Sequence, residues 1–113
     1  MSIDNVLNQL VERLKAADPY KIILFGSHAK GTAARDSDID LMIILNNDYL
    51  PKTYSDKLER NWGVHKLVLD INYRYAMDVK IYSKAEFKNL KKRGSFFIEE
   101  IEKTGKTIYE KQN

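Results

Sequence analysis

Two continuous apolar runs punctuate the chain, Lys21-Ile22-Ile23-Leu24-Phe25 and Leu41-Met42-Ile43-Ile44-Leu45. Short runs rich in β-branched residues and bounded by turn formers have the pattern of buried strands. Before them, Ile3, Val6, Leu7, Leu10, Val11 and Leu14 recur at helical spacing. They predict an amphipathic helix packed on a sheet, with Ser2 as N-cap, Asp4 at the positive end of its dipole, and Pro19 stopping it.

Further along, Thr53-x-x-Asp56 resembles a capping box with Asp in place of Glu or Gln. Leu58, Trp62, His65 and Leu69 follow at helical spacing, with Val64, Val68 and Ile71 alongside. The pattern predicts a helix from about Tyr54 to Asp70, weakened at Gly63, in which Trp62 and His65 are packing residues. A strand over residues 66–73 is the competing assignment. Tyr75 to Tyr82 reads as a third strand, with Met77, Val79 and Ile81 on one face and Asp78, Lys80 and Tyr82 on the other. Ser83-x-x-Glu86 is a full capping box opening a helix that holds Phe87 and Leu90. Its terminal cations, Lys88, Lys91, Lys92 and Arg93, suit a solvated helix end, with a binding patch as the alternative. Ser95 caps a last helix, Gly105 ends it, and Lys106 to Tyr109 has the pattern of an edge strand. The expected fold is therefore α/β (α+β). Strands at Lys21–Phe25, Asp38–Leu45 and Met77–Tyr82 form one small mixed sheet backed by helices, in a single domain over residues 1–113.

Composition narrows the class without naming a function. The chain has 113 residues, 43% of them hydrophobic, enough for one small core. It has no cysteine, hence no disulfide framework and no thiolate metal site. No apolar run approaches the ~18–20 residues of a membrane span, and Met1-Ser2-Ile3-Asp4 lacks the features of a signal peptide. A cytoplasmic location, away from membranes, is the expectation. The net charge of +3 suits a polyphosphate ligand but does not by itself indicate nucleic-acid binding.

The chemistry concentrates between the two apolar runs. Gly26-Ser27 turns the chain out of the first strand. Backbone N–H groups at such a turn can cradle an anion, Gly26 admits a phosphate close to the backbone, and the Ser27 hydroxyl can donate to it. The alternative is an ordinary strand-to-helix turn with Ser27 as N-cap. Lys30 either faces the same phosphates or is an exposed loop lysine. His28 has no evident partner and reads as a surface residue. After a polar connection with a turn at Asp36-Ser37 come Asp38-Ile39-Asp40. Alternate strand residues share a face, so Asp38 and Asp40 lie side by side. Two carboxylates so placed repel each other and call for a cation.

Gly26-Ser27, the spacer from His28 to Ser37, and Asp38-Ile39-Asp40 together resemble the signature of the DNA polymerase β-like nucleotidyltransferases. The extent of the chain is similar to that of the minimal nucleotidyltransferases, the antitoxin type paired with helical HEPN proteins. The resemblance covers roughly Tyr20 to Tyr109, and its sharp motifs lie in the first half.

It implies Asp38, Asp40 and Asp78 as catalytic and metal-binding carboxylates, with Asp70 as the fallback for the third. It also implies Gly26, Ser27, Ser37 and Lys30 as nucleotide contacts, ATP as substrate and two Mg²⁺ ions. The implied reaction is transfer of AMP to a hydroxyl, in HEPN-paired members a tyrosine of the helical ribonuclease partner. So small a domain leaves the acceptor side open, which implies a HEPN-type partner or a homo-oligomer. Two other readings are a non-catalytic module that masks a partner and a transferase acting on a small molecule.

Overall fold

In the computed structural model, which describes residues 2–34 and 36–112, the first helix α1 spans Ile3–Leu14. The Ser2 side chain accepts from the Asn5 N–H at its start. The helix tightens into a 3-10 turn at Lys15–Ala17, and Asp18 then adopts a left-handed conformation (φ 51°) that turns the chain into β1, Pro19–Phe25. Pro19 thus opens the strand, two residues ahead of the expected start. A short helix α2, Gly26–Lys30, follows directly. The second strand β2 covers Ile39–Leu45, so Asp38 stands one residue before it.

Thr53 caps α3, Tyr54–His65, through the Asp56 N–H at 3.0 Å. The helix runs through Gly63 unbroken. The irregularity falls instead at a 3-10 turn over Lys66–Val68, before α4 at Leu69–Arg74. The alternative strand over 66–73 does not form. The buried stripe is also rotated from the expected one. Val64, Val68 and Ile71 enter the core, whereas Leu58, Trp62 and Leu69 are about half exposed. Trp62 is therefore a surface residue rather than a packing one.

The third strand β3, Met77–Ser83, begins two residues later than Tyr75. Ser83 and Glu86 form the complete capping box of α5, Lys84–Lys92. Ser95 caps α6, Phe96–Thr104, and β4 spans Lys106–Glu110.

The sheet order is β3-β2-β1-β4. β1 runs antiparallel to β2 and β4, and β2 parallel to β3, so the sheet is mixed. One face carries Ile22, Leu24, Ile39, Leu41, Ile43 and Ile81 against α1 and the α3–α4 region. The other carries Ile23, Met42 and Ile44 against Ile98 and Ile101 of α6, with Phe87 and Leu90 of α5 alongside. Burial on both sides explains why the central strands read as continuous apolar runs. Among the described residues no helix is long and apolar enough to cross a membrane.

Candidate active site

The second face of the sheet changes character along β2. Ile44 and Met42 are buried, and the next residue on that face is Asp40. The parallel register pairs Asp40 with Asp78 and the antiparallel register pairs it with Phe25. The end of β1, the start of β2 and the start of β3 thus converge at one end of the sheet. Asp38, just before β2, adds a third carboxylate.

The chain turns sharply where β1 ends. Gly26 has φ +73°, and a Cβ built on it would lie 2.1 Å from the Asp40 Oδ2 and 3.0 Å from its Cγ. Only glycine fits between this turn and the Asp40 carboxylate, and only glycine takes this backbone conformation without cost. Phe25 is the residue preceding α2, and no side chain caps that helix. The role of Ser27 as N-cap, one of the two alternatives, is therefore not met.

Burial pushes the Asp40 carboxyl above the ordinary carboxylate range. The charges of Asp78 and Asp38 push it the same way, while His28 and Lys80 draw it back. Lys80 stands two residues beyond Asp78 on the same strand, its Nζ 3.5 Å from the Asp78 Oδ1. Among the described residues no three His, Cys, Asp or Glu side chains stand close enough together to hold one metal ion as they are placed. The donor set is nonetheless all oxygen, anionic and mutually repelling, which is the chemistry that suits Mg²⁺.

The remaining candidates separate. Asp70 is not at this site. It lies on α4, where Arg13 of α1 grips it through two hydrogen bonds of 2.7 and 2.9 Å. It is an interhelix tether, which removes it as the fallback third carboxylate. Lys30 turns toward Glu100 of α6 at 4.0 Å. Ser37 closes its own loop, its hydroxyl accepting from the Ala34 N–H at 2.7 Å. It also lines an open groove with Asp36, Arg74, Tyr75 and Ala76.

His28 differs from the expectation of a partnerless surface residue. It is part-buried, and its Nε2 lies 3.1 Å from the Ser37 carbonyl oxygen, tying α2 to the segment that delivers Asp38. That contact spans nine residues and leaves no local pattern in the chain. Lys80 carries no motif either, and its i, i+2 relation to Asp78 is the one signal of it in the sequence.

The nucleotidyltransferase domain profile matches residues 3–107. A Methanocaldococcus jannaschii protein named as a protein adenylyltransferase is 36% identical over 80 residues, which make up 68% of this chain and 51% of that protein. The chain therefore spans about half the length of this curated relative. Among solved structures, a Sulfolobus solfataricus nucleotidyltransferase superimposes with TM-score 0.60 at 16% identity, covering 96% of this chain and 83% of that one. A toxin–antitoxin complex with AMP-PNP gives 0.55 at 21% identity, with 94% and 74% covered. A mutant of the toxin–antitoxin MntA–HpeT gives 0.51 at 19% identity, also with 94% and 74% covered.

Proposed function

The chain belongs to the nucleotidyltransferase domain family, and from that premise we propose that it transfers AMP from ATP to a hydroxyl acceptor, a tyrosine of a HEPN-type partner protein. The observation that carries this reading is the pairing of Asp40 with Asp78 across β2 and β3, with the Gly26 turn pressed against the Asp40 carboxylate. The name of the M. jannaschii relative supports a protein acceptor, and the toxin–antitoxin neighbours support an antitoxin role.

Asp38, Asp40 and Asp78 would hold two Mg²⁺ ions, which when bound supply charge neutralisation for the triphosphate and for the departing pyrophosphate. The chain's own residues do the rest. Gly26 and Ser27 offer backbone N–H groups and a hydroxyl to the phosphates. The acceptor oxygen attacks the α-phosphorus in line, the bond to the bridging α–β oxygen breaks, and pyrophosphate leaves. Asp78 accepts the proton of the attacking hydroxyl. Holding these groups in line is most of the catalysis that phosphoryl transfer requires. The attached AMP would add negative charge and bulk to the partner's surface and weaken its hold on RNA.

The test is to incubate the purified chain with the protein encoded beside it, ATP and Mg²⁺, and to weigh both proteins. A partner heavier by one or more AMP units, with the gain lost in Asp38→Asn, is the expected result. A partner neutralised by tight binding without modification would establish the masking module instead. No binding at all would point to a small-molecule or nucleic-acid acceptor.

A further inference from the structure

We propose that Lys80 is a further catalytic residue of this site, a cation that contacts a phosphoryl oxygen of the bound triphosphate. The inference rests on the nucleotidyltransferase reading, and it assigns a role to a residue outside the Gly-Ser and Asp-x-Asp motifs.

Placement comes first. Asp78, Lys80 and Tyr82 share one face of β3, and this is the face on which Asp40 and Met42 lie across the parallel register. Lys80 pairs in register with Met42, one step along the strand from the facing pair Asp40 and Asp78. Its charge is felt at Asp40, and its Nζ is 3.5 Å from Asp78.

Elimination comes second. Three other lysines around this face have partners away from the aspartates. Lys30 faces Glu100 at 4.0 Å, Lys91 is bound to Glu102 at 3.0 Å, and Lys84 lies over the Tyr20 ring at 4.5 Å. Arg74 lies on the groove beside Ser37, with no aspartate of the site within ion-pair distance among the described residues. His28 does act on Asp40, but the Ser37 carbonyl holds its ring. Among the described residues, Lys80 is thus the lysine or arginine within ion-pair distance of one of the three aspartates.

Energetics comes third. The side chains of Lys80 and Asp78 are 42% and 48% exposed, so their ion pair is screened by solvent and contributes little. A pair that weak does not anchor the fold. A lysine on its flexible four-carbon stem exchanges such a partner readily for a triphosphate, a denser anion. The Lys80 side chain is part-exposed, so its ammonium reaches solvent and any anion that enters from it.

The experiment compares the wild-type chain, Lys80→Met and Lys80→Arg. Equilibrium affinities for AMP-PNP and for adenosine are measured alongside AMP transfer and thermal melting. Lys80→Met is expected to weaken AMP-PNP binding about 10- to 100-fold, the cost of a lost charged hydrogen bond, and to leave adenosine binding unchanged. Lys80→Arg is expected to restore most of the loss. Unchanged AMP-PNP affinity in Lys80→Met would overturn the proposal, and so would a fall in melting temperature alone, which would make Lys80 a structural screen for the carboxylates. A wild-type chain that binds AMP-PNP but transfers nothing would sink the transferase reading, and the affinities alone would then decide the phosphate contact. A wild-type chain that does not bind AMP-PNP would sink both.

Discussion

The two ends of the β2–β3 pairing each lie beside a partly buried carboxylate, and they treat it in opposite ways. At the far end, Glu86 is held by Arg60 at 2.6 Å and accepts from the Ser83 N–H at 2.9 Å. Burial alone would raise its pKa, but the Arg60 hydrogen bond, the Ser83 N–H and the Arg60 charge bring it below the ordinary value. At the near end, burial raises Asp40, and its carboxylate neighbours add to the rise. One end is a finished structural joint. The other carries negative charge that Lys80 and His28 offset only in part, as at sites where a ligand supplies the rest.

The sharpest way to break this contrast is to neutralise each end. Asp40→Asn is expected to lower AMP transfer about 1,000-fold with the fold intact, measured as pyrophosphate release and by circular dichroism. Near wild-type transfer would remove Asp40 from the chemistry. Arg60→Ala is expected to cost about 3 kcal/mol in chemical denaturation, because Glu86 is left charged with only 16% of its side chain exposed. Glu86 titrates lower when folded than when unfolded. Its contribution is therefore present above the unfolded value of 4.5 and is lost as pH falls through the folded value, so the Arg60→Ala cost should shrink in that acid range.

Two glycines sharpen the comparison. Gly26 and Gly31 have nearly the same backbone conformation, φ +73° and +75°. An added methyl at Gly31 meets nothing within 4 Å, whereas at Gly26 it meets the Asp40 carboxylate. Each alanine variant is expected to lose about 1–2 kcal/mol of stability from the left-handed conformation, and Gly26→Ala to lose more because its methyl meets the Asp40 carboxylate. Only Gly26→Ala should also lose transfer, and equal activity in the two variants would dissociate the turn from the site.

The smallest effect concerns Asp40 without metal. Its folded pKa is raised, so the folded state gains stability from protonation as pH falls toward the unfolded value of 3.8, and that gain is absent at pH 7. Metal-free Asp40→Asn should therefore melt higher than wild type at pH 7, by a margin that narrows toward pH 4. A margin independent of pH would mean that charge is not the cause.

Much of this was legible in the chain because it is local. The apolar runs of β1 and β2, the Ser83–Glu86 box and the Gly26-Ser27 and Asp38-Ile39-Asp40 motifs announce themselves within a few residues. What was not legible depends on contacts across the fold. Asp70 stood as the fallback to Asp78 because nothing in the sequence shows that Arg13, 57 residues away, holds it. Trp62 looked like core because its spacing suits either side of a helix, and packing chose Val64 and Val68 instead. His28 and Lys80 carry no motif, and their relevance appears only once Ser37 and Asp78 are placed beside them.

The β2–β3 pairing runs from Ile39 with Met77 to Leu45 with Ser83 without a shift, whereas both pairings of β1 contain one. That uninterrupted register constrains how the chain can change over generations. Gaining or losing a single residue inside β3 would reverse which face each side chain takes, sending Asp78 to the opposite side of the sheet from Asp40 and turning Val79 out of the core. Indels in this lineage should therefore collect in the exposed connections, such as that between Leu45 and Thr53, and avoid the seven paired positions of β3.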